Sequence, residues 1–147
     1  MKIPKVTPYK RKVQFYETDA AGIAHHSNFI RWFEESRTSF LIDVGHPYQK
    51  ISENGIHFVV LSVSAEFKQM VEFGDEITVT STVKSISPAR MIIGYTITKI
   101  DKTTGKEVLC STGESSHCGY NVKTQKLVSL KKELPELYAI LDASRDK

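Results

Sequence analysis

Between residues 17 and 36 the chain reads ETDAAGIAHHSNFIRWFEES, and the side chains best suited to chemistry crowd into its first half. Asp19 stands seven residues before His26, with Gly22 between them and a second histidine, His25, alongside. A carboxylate attacks a carbonyl carbon or activates water against it. The first backbone N–H groups of a helix lack an internal acceptor and carry the positive end of its dipole, so they stabilise an oxygen that gains negative charge. Gly22 allows a tight or left-handed turn that other residues resist. If a helix begins near His26, both halves of an acyl-transfer site lie on one loop. Plainer readings stand beside this one. An Asp before a helix commonly forms a turn or cap, and a histidine pair there is ordinary loop polarity. Glu17, Asp19, His25 and His26 are also metal-ligand types. Adjacent histidines rarely point at one ion, however, and no third ligand is spaced for it, so no metal is expected. His117 and Cys118 have the types of a base and a nucleophile, but strand neighbours face opposite sides.

The elements that would hold this loop are legible in the hydrophobic period. KVQFY (12–16) alternates, which predicts a short strand with Val13 and Phe15 on one side. Phe29, Phe33, Ser36 with Arg37, Phe40 with Leu41, and Val44 recur at helical spacing. Ser27 or Asn28 is the expected N-cap, Gly45 the C′ residue, and Pro47 the stop. Trp32 and Ile30 widen the apolar stripe, so the helix is expected to be covered on several sides. Strict alternation follows in Val59, Leu61, Val63, Ala65 and Phe67, then in Ile77, Val79 and Val83, then in Met91, Ile93, Tyr95 and Ile97. Residues 107 to 120 make a longer, more polar strand, NVKTQK a hairpin turn, and PELYAIL (135–141) a terminal helix opened by proline. Short turns between strands mean antiparallel neighbours. One sheet covers a buried helix only by curling around it. These features predict a single α+β domain over 1–147, with about five antiparallel strands wrapped around one long helix.

Composition excludes several classes. The 147 residues suffice for one domain with a real core, and 40% hydrophobic with 25% charged residues is the globular range. A net charge of +3 is too mild for a nucleic-acid binder, though it suits an anionic small molecule. No apolar run approaches the roughly 18 residues of a membrane span, and MKIPKVTPYKRKV lacks the apolar core of a signal peptide. Cys110 and Cys118, if on one strand, stand roughly 26 Å apart, beyond disulfide reach. A reducing, cytoplasmic setting is expected. YKRK (9–12) reads as a solubilising edge, and Arg31, Glu34, Glu35 and Arg37 as helical ion pairs.

DAAGIAHHSNFIRWFEESR resembles the active-site segment of the hotdog-fold thioesterases, in the branch of 4-hydroxybenzoyl-CoA and short-chain acyl-CoA thioesterases. Asp19, Gly22, Ile23, His26, Asn28, Phe29, Trp32 and Phe33 fall on that pattern without gaps. EFKQMVEFGDEITVTSTV, with its Gly74–Asp75 turn, is similar to the family's next strand pair, and the likeness spans about residues 10 to 130. The resemblance implies a hotdog fold and hydrolysis of an acyl-CoA thioester. It implies Asp19 as nucleophile or general base and the His26 backbone N–H as the donor that polarises the carbonyl. Gly22 and Asn28 would shape the loop. Coenzyme A would be part of the substrate, with no separate cofactor. Such sites form between subunits, so a homodimer, and in many relatives a homotetramer, is expected. His25 departs from the pattern, where relatives often carry an aromatic wall. Lys68 at a strand end and Arg90 in the SPAR turn stand where the family often binds the nucleotide, and Arg is the better bidentate phosphate partner. His57, ahead of an apolar strand, is a rim residue placed to line the acyl pocket. The same fold also permits a domain that binds acyl-CoA or an acyl carrier protein without cleaving it. A dehydratase would need a catalytic histidine on a different loop, and that pattern is absent.

Overall fold

Phe33 stacks on Tyr95 with ring centroids 4.4 Å apart and planes 8° from parallel, and this contact marks where a helix rests on a sheet. In the computed structural model, which describes residues 2–145, the helix is α1 (Ser27–Asp43). Its buried residues are Asn28, Phe29, Trp32, Phe33, Ser36, Phe40 and Leu41, which follow the expected stripe. Gly45 lies at φ +85° just beyond it, where a left-handed residue ends a helix without strain. The stripe is narrower than expected: Ile30 is 42% exposed, so that flank of the helix is bare.

Around α1 curls one antiparallel sheet of six strands: β1 (Tyr9–Lys12), β2 (Ile56–Phe67), β3 (Glu76–Ile86), β4 (Arg90–Ile100), β5 (Glu107–Asn121) and β6 (Lys126–Val128). The order is β1-β3-β4-β5-β2, with β6 paired to the end of β5. Short helices α2 (Tyr48–Ser52), α3 (Leu130–Glu133) and α4 (Pro135–Ala143) complete it. The hotdog architecture expected from the sequence is present. Cys110 and Cys118 are both on β5, buried and unbridged.

The first strand is displaced from its expected place. YKRK itself is β1, an edge strand of the sheet whose Lys10 and Lys12 are exposed as a solubilising edge requires, while Tyr9 and Arg11 turn inward. Tyr9 donates to Glu35 at 2.8 Å, and Arg11 pairs with Glu35 at 2.7 Å. Residues Phe15–Glu17 form a 3-10 turn that leaves Phe15 72% and Tyr16 76% exposed. The cause is local. The Glu17 carboxylate reaches back to accept the Gln14 backbone N–H at 2.9 Å, which closes a turn where extended chain would leave that group bare. Among the described residues no ion pair joins Arg31, Glu34, Glu35 and Arg37 along the helix, and Glu35 pairs with Arg11.

β2 departs from strict alternation. Phe58 and Val60 face α1, yet further along Ala65 packs on the core and the Phe67 ring meets Phe29 at 4.9 Å. An even and an odd set share one face because the ladder shifts register between Val60 and Ser62. One extra residue in a strand reverses which side chains point inward. Val59, Val60, Leu61, Val63 and Phe67 are 37% to 53% exposed, on a strand that ends the sheet.

Helix and sheet approach each other closely at Gly113 on β5. A Cβ there would lie 2.5 Å from the Phe33 ring and 2.7 Å from the Ser64 carbonyl oxygen. Gly113→Ala is expected to cost about 2–3 kcal/mol by overpacking, read as a lower midpoint in urea unfolding.

Candidate functional site

The loop between β1 and α1 folds as a miniature hairpin. The Asp19 N–H donates to the Ile23 carbonyl at 2.8 Å, Thr18 and Ala24 bridge, and the His25 N–H donates to the Glu17 carbonyl at 2.9 Å. Gly22 sits at its tip with φ +78°, as its position in the sequence required. The 71–75 turn braces it, through Ala24 N–H to the Val71 carbonyl at 2.7 Å and Phe73 N–H to the Gly22 carbonyl at 3.1 Å.

Asp19 is exposed, and its Oδ1 accepts the Ala21 N–H at 2.8 Å and the Ile23 N–H at 3.3 Å. One carboxylate oxygen thus orients the group. His26 is the N-cap of α1 with helical dihedrals, and its own N–H meets no acceptor among the described residues. No acidic side chain occupies the first turn, so the positive end of the helix dipole is uncompensated there. The expected cap is replaced: the Ser27 N–H donates to His25 Nδ1 at 3.2 Å, which is the work of His25 in this loop. Asn28 caps nothing. Its buried amide donates to the Glu17 carbonyl at 2.7 Å and to the His25 carbonyl at 3.3 Å, tying the helix start to the loop base.

The residue that organises the loop is Glu17, named above only as a metal-ligand type. It is 3% exposed. Its carboxylate accepts the Trp32 indole N–H at 2.9 Å and the Gln14 N–H at 2.9 Å, and pairs with Arg11. Burial alone would raise the carboxyl's pKa. The Gln14 N–H, Arg11 and Trp32 outweigh that effect and hold it below its usual range. A sequence signal did exist, in an acid beside an inward-facing Arg and a tryptophan, but only the fold joins them. Among the described residues no group of three His, Cys, Asp or Glu is arranged for a metal.

The other expected site residues divide between two ends of the sheet. Lys68 follows Phe67, whose ring lies 6.4 Å from that of His26, so it stands at the loop end, paired with Glu66 at 3.3 Å. Arg90 and His57 stand at the other end. β5 runs from Ser111, opposite Phe67, to His117, opposite Val60 and Met91, a distance of about 20 Å at strand rise. Arg90 is exposed beside Ser87, and His57 Nδ1 bonds the Tyr48 hydroxyl at 2.8 Å.

At that second end a cleft of about 360 Å³ opens between the C-terminal half of α1 and the concave sheet. Apolar side chains, among them Phe40, Phe58, Met91 and Ile93, form most of its wall. Two of its polar lining residues, Arg37 and His117, are the ends of a buried chain of hydrogen bonds. Arg37 donates to the Tyr95 hydroxyl at 3.0 Å, Tyr95 and Ser115 are 2.5 Å apart, and Ser115 and His117 Nε2 are 2.7 Å apart. His117 is 1% exposed, and its Nδ1 has no partner. Burial first, and the charge of Arg37 second, push its pKa down to about 4, so the ring is neutral near pH 7. The sequence reading had set His117 aside as a strand residue.

Residues 13–138 match the Thioesterase-like superfamily. A protein of Aquifex aeolicus, provisionally named an esterase, is 38% identical over 129 residues, covering 88% of this chain and 94% of its own. A 1,4-dihydroxy-2-naphthoyl-CoA hydrolase of Prochlorococcus marinus is 27% identical over 131 residues, covering 85% of this chain and 83% of its own. The crystal structure of a DHNA-CoA thioesterase from Staphylococcus aureus superposes with a TM-score of 0.84 over 93% of this chain and 89% of that one. At 22% identity that likeness is one of fold.

Removing the Glu17 charge is expected to destabilise the protein strongly. Glu17→Gln leaves Arg11 with Glu35 as its one remaining carboxylate and takes the charge from the Trp32 and Gln14 N–H donors, at a cost of about 3 kcal/mol near neutral pH. Because the folded carboxyl titrates below the ordinary glutamate value of 4.5, its contribution is fully present above that value and fades as the pH falls beneath it. Urea unfolding of both proteins checks this: the gap between them narrows on acidification below 4.5.

Proposed function

Because the chain belongs to the thioesterase-like superfamily, we propose that it hydrolyses acyl-CoA thioesters to a free acid and coenzyme A, with the Asp19 loop as its reacting centre. The observation that carries this reading is the unengaged His26 N–H at the start of α1, on the same closed loop as the Asp19 carboxylate. A thioester carbonyl oxygen placed on that N–H gains charge against the helix's positive end. Asp19, oriented through Oδ1 by the Ala21 and Ile23 N–H groups, acts on the carbonyl carbon. As a base it takes a proton from water; hydroxide adds to the carbon, the C–S bond breaks, and the proton passes to the departing thiolate. As a nucleophile it forms a mixed anhydride as the thiolate leaves, and water then hydrolyses the anhydride. Single turnover in heavy-oxygen water separates the two, since label enters Asp19 only in the second. Asn28 and Gly22 hold the loop in shape, and Lys68 at the loop end takes a coenzyme A phosphate.

The bare β2 edge reaches the Asp19 loop through the Phe67–His26 ring contact. An exposed apolar edge strand invites pairing with another copy. Antiparallel pairing of two β2 strands about their midpoint would set Phe58 of the partner subunit opposite Ala65, near the Phe67–His26 contact. The cleft of one copy, at the sheet end that also carries Arg90 and His57, then adjoins the Asp19 loop of the other. The working unit is a homodimer, which associates further into a tetramer.

Asp19→Asn keeps both loop hydrogen bonds and removes the charge. It is expected to lower turnover at least about 100-fold on a panel of acyl-CoAs read with a thiol dye. Wild-type rates in that variant would refute the role of Asp19. Tight acyl-CoA binding without thiol release by the unmodified protein would instead identify a carrier-type binding domain. Leu61→Asp is expected to yield monomers by light scattering and to abolish activity together with dimerisation.

A further inference from the structure

The cleft along the C-terminal half of α1 holds two polar features that its apolar wall does not need. The first is Arg37, half-buried, whose guanidinium has among the described residues one hydrogen-bond partner, the neutral Tyr95 hydroxyl. Among the described residues no carboxylate lies within ion-pair distance of it; Glu34 also lines the cleft but is not paired to it. The second is His117, buried with Nδ1 unsatisfied. A cation compensated only by a phenol and a buried ring nitrogen without a partner both cost free energy in an apolar setting.

The hydrogen-bond chain decides what each group offers. Arginine only donates, so the Tyr95 oxygen accepts from Arg37. The direction that leaves no hydroxyl proton unused runs from Tyr95 to Ser115 and from Ser115 to His117 Nε2. Nε2 is then an acceptor, and the ring proton resides on Nδ1. What this chain of groups leaves unused is therefore donors alone, the remaining Arg37 N–H groups and His117 Nδ1–H, while Glu34, Ser81 and Thr82 line other parts of the cleft. A hydroxyl proton finds no acceptor on this chain of groups, whereas a carboxylate satisfies both donors and neutralises the guanidinium.

We propose that Arg37 and His117 form the recognition point for a carboxylate at the far end of the acyl group, so that the favoured substrates are coenzyme A monothioesters of dicarboxylic acids. This rests on the thioesterase reading above, in which the cleft of one copy adjoins the reacting loop of the other. The apolar wall takes the methylenes, and the two donors take the terminal oxygens. A plain acyl chain of the same length leaves both donors unpaired, which is the situation in which hydrogen-bonding sites discriminate most strongly.

The test compares kcat/KM for succinyl-, adipyl- and suberyl-CoA with that for butyryl-, hexanoyl- and octanoyl-CoA. The expected result is a preference of about tenfold or more for at least one dicarboxylic member over its matched partner. Arg37→Met and His117→Leu are each expected to bring that ratio towards one, and Arg37→Lys to retain part of it. Equal handling of every matched pair by the unmodified protein overturns the proposal, and so does a preference that survives Arg37→Met. Calorimetric binding of the same thioesters to Asp19→Asn gives a readout independent of cleavage. If no thioester is hydrolysed but the dicarboxylic members bind preferentially, the catalytic reading fails and this inference stands. If thioesters are hydrolysed without preference, the reverse holds.

Discussion

The buried Glu17 carboxylate is the interaction on which the site depends. Its oxygens meet a strand (Arg11), a turn (Gln14) and the helix (Trp32), and its carbonyl takes the Asn28 amide and the His25 N–H. Five donors from a strand, a turn, a loop and a helix converge on one residue two positions before Asp19. A carboxylate removed from water is tolerated only when its lone pairs are filled in this way. The reward is positional: the hairpin bearing Asp19 and the first turn of α1 are held against each other by the core instead of by the loop's own contacts. The exposed carboxylate at Asp19 has a fixed orientation because a buried one stands behind it.

A second constraint is the distance of helix to sheet. Phe33 lies flat on Tyr95 with Gly113 beneath, so near its middle α1 rests on the sheet with no intervening side chain on β5. Towards its C-terminus the helix is spaced from the sheet by larger side chains, and the cleft opens there. Tyr95 serves both regions. Its ring packs under the helix, and its hydroxyl carries the hydrogen bonds from Arg37 towards His117. Close packing at one end and an opening at the other are consequences of the same helix lying across a curled sheet.

Much of the fold was legible because hydrophobic period and turn chemistry are local. The stripe from Phe29 to Leu41, the Gly45 stop, the alternations in β3 and β4 and the proline start of α4 all follow from spacing. Where the reading missed, a side chain had a non-local partner or the ladder slipped. KVQFY alternates as a strand should, but Glu17 bends it into a turn. YKRK is a solvated edge on one face only, since Glu35 and Glu17 stand beside Arg11 on the other. Val59 to Phe67 alternate in sequence, and a single register shift undoes the alternation in space.

The Asp19–Gly22–His26 spacing and the family likeness came from sequence alone, since seven residues of chain confine a carboxylate and a helix start to one neighbourhood wherever the rest goes. That the His26 N–H is left free, that His25 caps the helix and that Asn28 donates backwards were decided by tertiary structure. So were the cleft and its unused donors, because Arg37, Tyr95, Ser115 and His117 lie up to 80 positions apart and only strand pairing makes them neighbours. Spacing along a chain determines what is close within a turn or two; which distant groups share a wall depends on how the sheet closes around the helix.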